Sequence, residues 1–304
     1  MPSLAIVILN YNRADLLEGC LASIYAHPTR CQLTVWVVDN ASTDNSVDMV
    51  RTRFPQVQLI VSAYNGGFAY GNNLALRQIV YDSTFHGHEE PEYVLLLNND
   101  TVVPPDALDG LVDYLEQHDA VGVVGPRLLL PDGTLDLACR RSFPTPLVSL
   151  YRMTGLARLF PRSRRFGRYN LTYLDPDCET EVDAVVGACM LLRTSIIREV
   201  GLLDEQFFMY GEDLDWAYRI KQYGWRIVYY PDVHVWHYKR AASNRRAIPS
   251  ICAFYNAMRT FHRKHYAATT PMLLNALIEA GITLKEMIAL GSNLIRPPAL
   301  RRVR

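Results

Sequence analysis

LAIVILNYNR, residues 4–13, decides the fold class. Its first six residues are a continuous apolar, β-favouring run almost at the start of the chain. Such a run reads as a strand covered on both faces, the habit of parallel sheets. NYNR then turns the chain into a helical pattern in which Leu16, Leu17, Cys20, Leu21 and Ile24 share one face. The turn is nothing like GxGxxG, and no Walker lysine loop occurs, so ordinary dinucleotide-binding and P-loop enzymes are excluded.

Outward from this unit the chain alternates. TVWVVD (34–39) is a second strand, and Ser42, Thr43 or Asp44 can cap the helix that Pro55 ends. VQLIV (57–61) is a third strand, after which NGGFAYGNN (65–73) opens a helix to about Val80. YVLLL (93–97), a helix with Pro105 in its first turn, and VGVVG (121–125) follow, then a Pro131-Asp132-Gly133 turn. This order predicts an α/β fold: a mainly parallel central sheet with helices on both faces.

Residues 140–180 break the pattern. Arg152, Arg158, Arg162, Arg164, Arg165 and Arg168 occur with no acid between them, which predicts a mobile loop. Regular structure resumes at 181–193, with a helix at 212–223 and a strand at 225–230. The remainder reads as a helical extension with an apolar face at Met272, Leu273, Ala276, Leu277 and Ala280. The expected division is a catalytic unit over 1–240, itself split into a nucleotide-binding half (1–125) and an acceptor half (126–240), followed by a basic extension over 241–304.

Of 304 residues, 49% are hydrophobic, enough for a real core and too many for a disordered chain. The formal charge is zero, but it is unevenly spread. From Lys239 onward there are twelve Lys and Arg against two acids, Glu279 and Glu286. That basic end points to an anionic partner: a phosphorylated ligand, a membrane surface or nucleic acid. The six cysteines have no CxxC spacing and no paired histidines, which excludes zinc and thioredoxin-like readings and predicts reduced thiols in a cytoplasmic protein. No apolar run is long enough to span a bilayer.

Ligands of parallel sheets bind beyond the carboxyl ends of the strands. Polar clusters gather there: Asn10-Tyr11-Asn12-Arg13, Asp39-Asn40 and Asn98-Asn99-Asp100. Each taken singly is an ordinary turn. All three at one sheet edge suggest a site, and a carboxylate at Asp100 beside amide oxygens suits Mg²⁺ or Mn²⁺ ligated mostly by substrate phosphates.

The combination of VVDNASTD (37–44), NGGFAYGNN (65–73), LLLNNDT (95–101), VVGACMLLR (185–193), GEDLDWAYR (211–219) and HVWHY (234–238) resembles glycosyltransferase family 2, and bacterial rhamnosyltransferase-like members within it. The resemblance covers residues 3–240, in the family's order. It implies a GT-A fold, a nucleotide-diphosphate sugar donor, a divalent metal and inversion at the anomeric carbon. One departure is Asn98, where many members carry an aspartate.

On this resemblance Asp39 accepts the imide N–H of a uracil or thymine ring, which implies a UDP- or dTDP-type donor. Asn10, Asn12, Arg13, Asn65, Gly67, Asn98 and Asn99 help hold the nucleotide sugar. Asp100 and His237 are the metal ligands, with His234 as the rival histidine. Asp213 is the general base, Gly187 and Glu212 are candidates for contact with a saccharide or lipid-linked acceptor of surface polysaccharide synthesis, and Asp215 and Trp216 are candidates for acceptor or local structural contacts. For Glu212 and Asp213, acids in a first helical turn are also favoured by the helix dipole alone. Two other functions stay in view. A sugar-nucleotide nucleotidyltransferase would carry a Gly- and Arg-rich loop after the first strand, which NYNR is not. A sugar- or nucleic-acid-binding protein leaves the three aspartates unexplained, and the tail holds no nucleic-acid module, so no nucleic acid is expected. The basic tail and its apolar face leave two roles open: packing on the catalytic unit or on a second subunit, the commoner fate of such a stripe, and peripheral docking on the inner face of a membrane.

Overall fold

The computed structural model describes residues 1–82, 90–239 and 247–295. The first strand, β1 (Ser3–Asn10), is followed by α1 (Ala14–Tyr25), β2 (Gln32–Asp39), α2 (Ser46–Arg53), β3 (Gln58–Val61) and α3 (Gly67–Tyr81). Next come β4 (Tyr93–Asn98), β5 (Thr101–Val102), α4 (Ala107–Gln117) and β6 (Val121–Leu129). Two short helices, α5 (Pro146–Met153) and α6 (Leu156–Leu159), precede β7 (Thr180–Glu181), β8 (Cys189–Arg193), α7 (Thr194–Val200), α8 (Glu212–Gln222) and β9 (Arg226–His237). A helical hairpin closes the described chain: α9 (Ala247–His265) and α10 (Met272–Ile295).

All nine strands form one sheet in the order β3-β2-β1-β4-β8-β6-β9-β5, with β7 also on β9. β3, β2, β1 and β4 are mutually parallel, and so are β6 and β9; β8 enters antiparallel between the two groups. Leu4 to Ile8 point alternately to opposite faces and none is more than 1% exposed, so both faces of the sheet are covered. α3 packs on β1 and β2, and α4 on β6 and β9. The sheet runs without a break through residue 125, where the expected halves meet. The expected boundary at 240/241 lies outside the described residues.

Register positions the site. Asn10 of β1 lies opposite Asp39 of β2, and Leu9 opposite Asn98 of β4, so the three polar strand ends stand at one level. Thr101 of β5 pairs with His237 of β9, which sets Asp100 against the histidine. β9 is longer than the expected 225–230 strand. It continues through Pro231, where its register against β6 jumps from Pro126↔Tyr230 to Arg127↔His234. The irregularity absorbs the proline and carries the chain on to His237.

The 140–180 segment is a correction. It holds α5 and α6 and an aromatic cluster in place of the expected mobile loop. Arg152 stacks 4.3 Å from the Tyr169 ring centroid, and Arg165 Nε donates to the Tyr151 hydroxyl at 2.7 Å. For these two arginines ring faces and a hydroxyl take the place of acidic partners.

Candidate active site

The turn after β1 is laced to the turn after β2. Asp39 is 1% exposed; its Oδ1 accepts the Ser42 N–H at 2.8 Å and its Oδ2 the Asn10 amide at 3.3 Å. Asn12, at φ +53°, donates its N–H to Ser42 Oγ and accepts the Thr43 N–H with its side chain at 2.7 Å. Arg13 forks onto Asp15 through Nε (3.0 Å) and Nη2 (2.8 Å), and this pairing, helped by nearby Asp100, holds its guanidinium above its ordinary value against the opposing effect of burial. Asn99 donates to Asn10 Oδ1 at 2.7 Å.

A second cluster surrounds His237. Its Nδ1 lies 2.9 Å from Asp136 Oδ2, and its Nε2 is 3.3 Å from Asp100 Oδ1 and 3.4 Å from Asn98 Nδ2. Asp136 is 1% exposed and is also held by Lys239 Nζ at 2.6 Å. Burial opposes ionisation of Asp136, yet hydrogen bonds from His237 and Lys239 hold its carboxyl well below the ordinary range. Burial likewise pulls the His237 imidazole down, but the Asp100 and Asp136 carboxylates outweigh it and raise the ring to about 9. His234 is exposed and sits against Trp236, away from this cluster.

These residues fit a divalent cation. Asp100 Oδ1 is buried with no hydrogen-bond partner, and the His237 Nε2 lies 3.3 Å from it. With Nδ1–H directed at Asp136, Nε2 is the nitrogen left for a metal, in place of its proton. Among the described residues no cluster of three or more metal-binding side chains exists. One carboxylate and one imidazole match an ion that takes most of its ligands from phosphate and water.

The third cluster is built on the start of α8. Gly211, at φ +85°, makes the turn that opens the helix. Asp213 Oδ2 accepts from Arg141 Nη2 at 2.7 Å and from the Gly187 N–H at 3.1 Å, while its Oδ1 accepts the Leu214 N–H. Arg141 also donates to the Val185 carbonyl, and the Asp213 charge holds its guanidinium above its ordinary value despite burial. Glu212 is buried with Oε2 unpartnered; burial, then the Asp213 charge, pushes its carboxyl up to about 8.

One network joins the three clusters. Asp39 leads through Asn10 to Asn99, and its neighbour Asn98 faces His237 with its side chain. The Asn98 N–H donates to the Ala188 carbonyl at 2.9 Å, next to the Gly187 amide that holds Asp213. The structure thus brings Asn10, Asn12, Arg13, Asp39, Asn98, Asn99, Asp100, Gly187, Glu212, Asp213 and His237 to one edge.

Four expected site residues have other contacts. Asn65 pairs with Asn40, whose amide also reaches the Gly67 carbonyl at 3.2 Å. Gly67 has φ +89° and a Cβ there would sit 2.1 Å from the Phe208 carbonyl, so backbone packing alone demands glycine. Trp216 is fully buried and donates to the Gly201 carbonyl at 2.8 Å. Asp215, also fully buried, is ringed by Arg219 (2.9 Å), Lys264 (2.8 Å) and His265 (2.7 Å), which leaves no face for an acceptor. Sequence reasoning placed Asn40 in the polar cluster after the second strand without giving it a role, and missed Arg141, Asp136 and Lys239. Asn40 directly follows Asp39 in VVDN and was legible as part of that turn. The other three carry no local signal, since their partners come from distant parts of the chain.

The sequence matches the family described as "Glycosyltransferase like family 2" over residues 2–249. The chain belongs to that family. It is 28% identical over 304 residues to the N-acetylglucosaminyl-diphospho-decaprenol L-rhamnosyltransferase of Mycobacterium tuberculosis, covering 99% of this chain and 95% of that one. It is 23% identical over 239 residues to the rhamnosyltransferase WbbL of Escherichia coli K12, covering 77% of this chain and 82% of that one. Among solved structures it is similar to the mannosyltransferase PcManGT of Pyrobaculum calidifontis in complex with GDP-Man and Mn²⁺, with a TM-score of 0.54 and 21% identity over 98% of this chain and 77% of that one. The GT-A fold is thereby established, and the nucleotidyltransferase and binding-protein readings gain no support.

Proposed function

We propose that the protein transfers a sugar, rhamnose in the reading the relatives favour, from a UDP- or dTDP-type donor to a saccharide on a lipid-linked acceptor, with inversion, in surface polysaccharide synthesis. The observation that carries this is the single network linking Asp39, the Asp100–His237 pair and Asp213 at one sheet edge. Support for rhamnose and for a lipid-linked saccharide comes from the name of the mycobacterial relative. Support for a divalent metal comes from the orphaned Asp100 oxygen and from the Mn²⁺ in the mannosyltransferase complex.

In this mechanism Asp39 receives the imide N–H of the base on Oδ2, whose only donor among the described residues is the Asn10 amide at 3.3 Å. Asn10, Asn12, Arg13 and Asn99 line the same turn, with Asn65 and Gly67 shaping the loop beside it. Asp100 and His237 would hold Mg²⁺ or Mn²⁺, which supplies positive charge to the departing diphosphate. The acceptor hydroxyl attacks the anomeric carbon as the bond to the diphosphate oxygen breaks. Asp213 takes the hydroxyl proton, its carboxylate aimed by Arg141 and the Gly187 amide. Glu212 keeps its proton near neutrality and can donate a hydrogen bond to an acceptor oxygen from Oε2. The enzyme works against a membrane, where such an acceptor is held.

The test is nucleotide release from UDP-, dTDP- and GDP-sugars with Mg²⁺ or Mn²⁺, with and without saccharide acceptor. UDP- or dTDP-sugars should be turned over and GDP-sugars refused. A preference for GDP-sugars would remove Asp39 from base recognition, and no turnover of any donor would remove the transferase mechanism.

A further inference from the structure

α10 turns an apolar stripe outward. Leu273, Ala276, Leu277, Ala280, Leu284, Met287, Ile288, Leu294 and Ile295 recur at spacings of three and four and so form one stripe, and every one of them is exposed. Leu273 is 74% exposed and Met287 66%. The opposite side of α10, with Asn275, Glu279, Ile282, Glu286 and Asn293, faces the protein. Asn275 meets His262 at 2.8 Å, Glu279 accepts from Arg263 at 2.7 Å, and Glu286 accepts from Arg259 at 2.7 Å, all on α9. The stripe is therefore not packed on the catalytic unit; the covered face of α10 is a mixed one that buries Ile282 and Asn293.

Both acids of the hairpin are thus neutralised within it. The sequence beyond α10 adds Arg296, Arg301, Arg302 and Arg304 and no acid. A 24-residue helix is about 36 Å long, so the stripe is an extended apolar strip, and the sequence that follows it is basic. An anionic bilayer offers both complements at once, an apolar layer under a negative rim. A second copy would offer the apolar complement but bring the same positive tail. No described helix is long and apolar enough to cross a membrane, so the strip lies along the surface.

The hairpin is also fixed to the catalytic machinery. Lys264 and His265 of α9 hold Asp215, two residues after Asp213. The Phe254 ring of α9 meets Tyr210, next to the Gly211 turn that starts α8. We infer that the exposed stripe of α10 seats the protein on an anionic membrane and that α9 transmits that seating to the helix carrying Asp213. This deepens, and rests on, the reading that the acceptor is lipid-linked.

The experiment is flotation of the full chain with equimolar phosphatidylglycerol/phosphatidylcholine vesicles and with pure phosphatidylcholine vesicles, at low and high salt. The parent should float with the anionic vesicles, less so as salt rises. The triple variant Leu277→Glu, Leu284→Glu, Ile288→Glu touches only the outward stripe. It should partition at least about tenfold less, with an unchanged circular dichroism spectrum and unchanged nucleotide affinity. A second variant with the four tail arginines replaced by Ser should lose the preference for anionic over neutral vesicles. Equal flotation of parent and triple variant would overturn the inference. So would a parent that stays in solution, or a parent dimer that the triple substitution splits. If the parent floats as described but releases no nucleotide from any donor, the membrane seat stands and the transferase reading fails.

Discussion

Arg141 Nη2 lies 2.7 Å from Asp213 Oδ2, with only 8% of either side chain exposed. A buried pair of this kind adds little net stability over an apolar replacement, but losing one partner strands the other charge in a low dielectric. Arg141→Ala should therefore destabilise the fold by about 3–5 kcal/mol. Urea unfolding followed by circular dichroism measures it, and a loss below about 1 kcal/mol would mean that water already screens the pair.

Asp136 fixes the His237 ring through Nδ1 and leaves Nε2 toward Asp100. Asp136→Asn should weaken Mn²⁺ binding by about 10–100-fold. Electron paramagnetic resonance of free Mn²⁺, titrated in the presence of UDP, reads this without turnover. Unaltered Mn²⁺ affinity would make Asp136 a partner of Lys239 alone.

Glu212 gives the stability curve a signature. Its carboxyl is raised from 4.5 to about 8 in the folded protein. Below 4.5 both states carry the proton, and between 4.5 and 8 only the folded state keeps it. The folded state then binds more protons than the unfolded one, so stability falls as pH rises through this window and levels off above it. Glu212→Gln should flatten that fall, seen as a smaller loss of urea midpoint between pH 5 and pH 8. Parallel curves for the parent and the variant would contradict the burial of this acid.

Asp215 is the anchor of the C-terminal hairpin. Three basic groups converge on one fully buried carboxylate, so Asp215→Ala leaves them without a common counter-charge. The expected cost is about 3–5 kcal/mol, with increased proteolysis in α9 and α10. Mass spectrometry of limited digests locates the cuts, and an unchanged digestion pattern would mean that the hairpin is held by its apolar contacts alone.

The sequence made β1, β2 and β4 legible because strands buried on both faces are continuous apolar runs, each ending where its polar residues begin. Parallel register then brings Asn10, Asp39 and Asn98 to one level without further information. Asp136 and Arg141 were illegible for the opposite reason. They lie in irregular chain, and their partners are 101 and 72 residues away. Asp215 and Trp216 share the helix of Asp213, so sequence neighbourhood suggested a shared task; helical rotation turns both into the core. Pro231 hid the second half of β9, since a proline reads as a strand end unless an irregularity accommodates it. The stripe on α10 was legible as apolar, but only the hairpin's ion pairs show that it faces outward.

The central claim is that Asp213 removes the acceptor proton in a transfer from a nucleotide-diphosphate sugar. Asp213→Asn keeps an oxygen for Arg141 and the Gly187 amide but cannot accept a proton. The decisive measurement is the rate of sugar transfer by this variant, set beside its donor affinity by calorimetry. Transfer should fall by about 10²–10⁴-fold while the donor binds as before. A folded Asp213→Asn enzyme that transfers at the parent's rate would contradict the account.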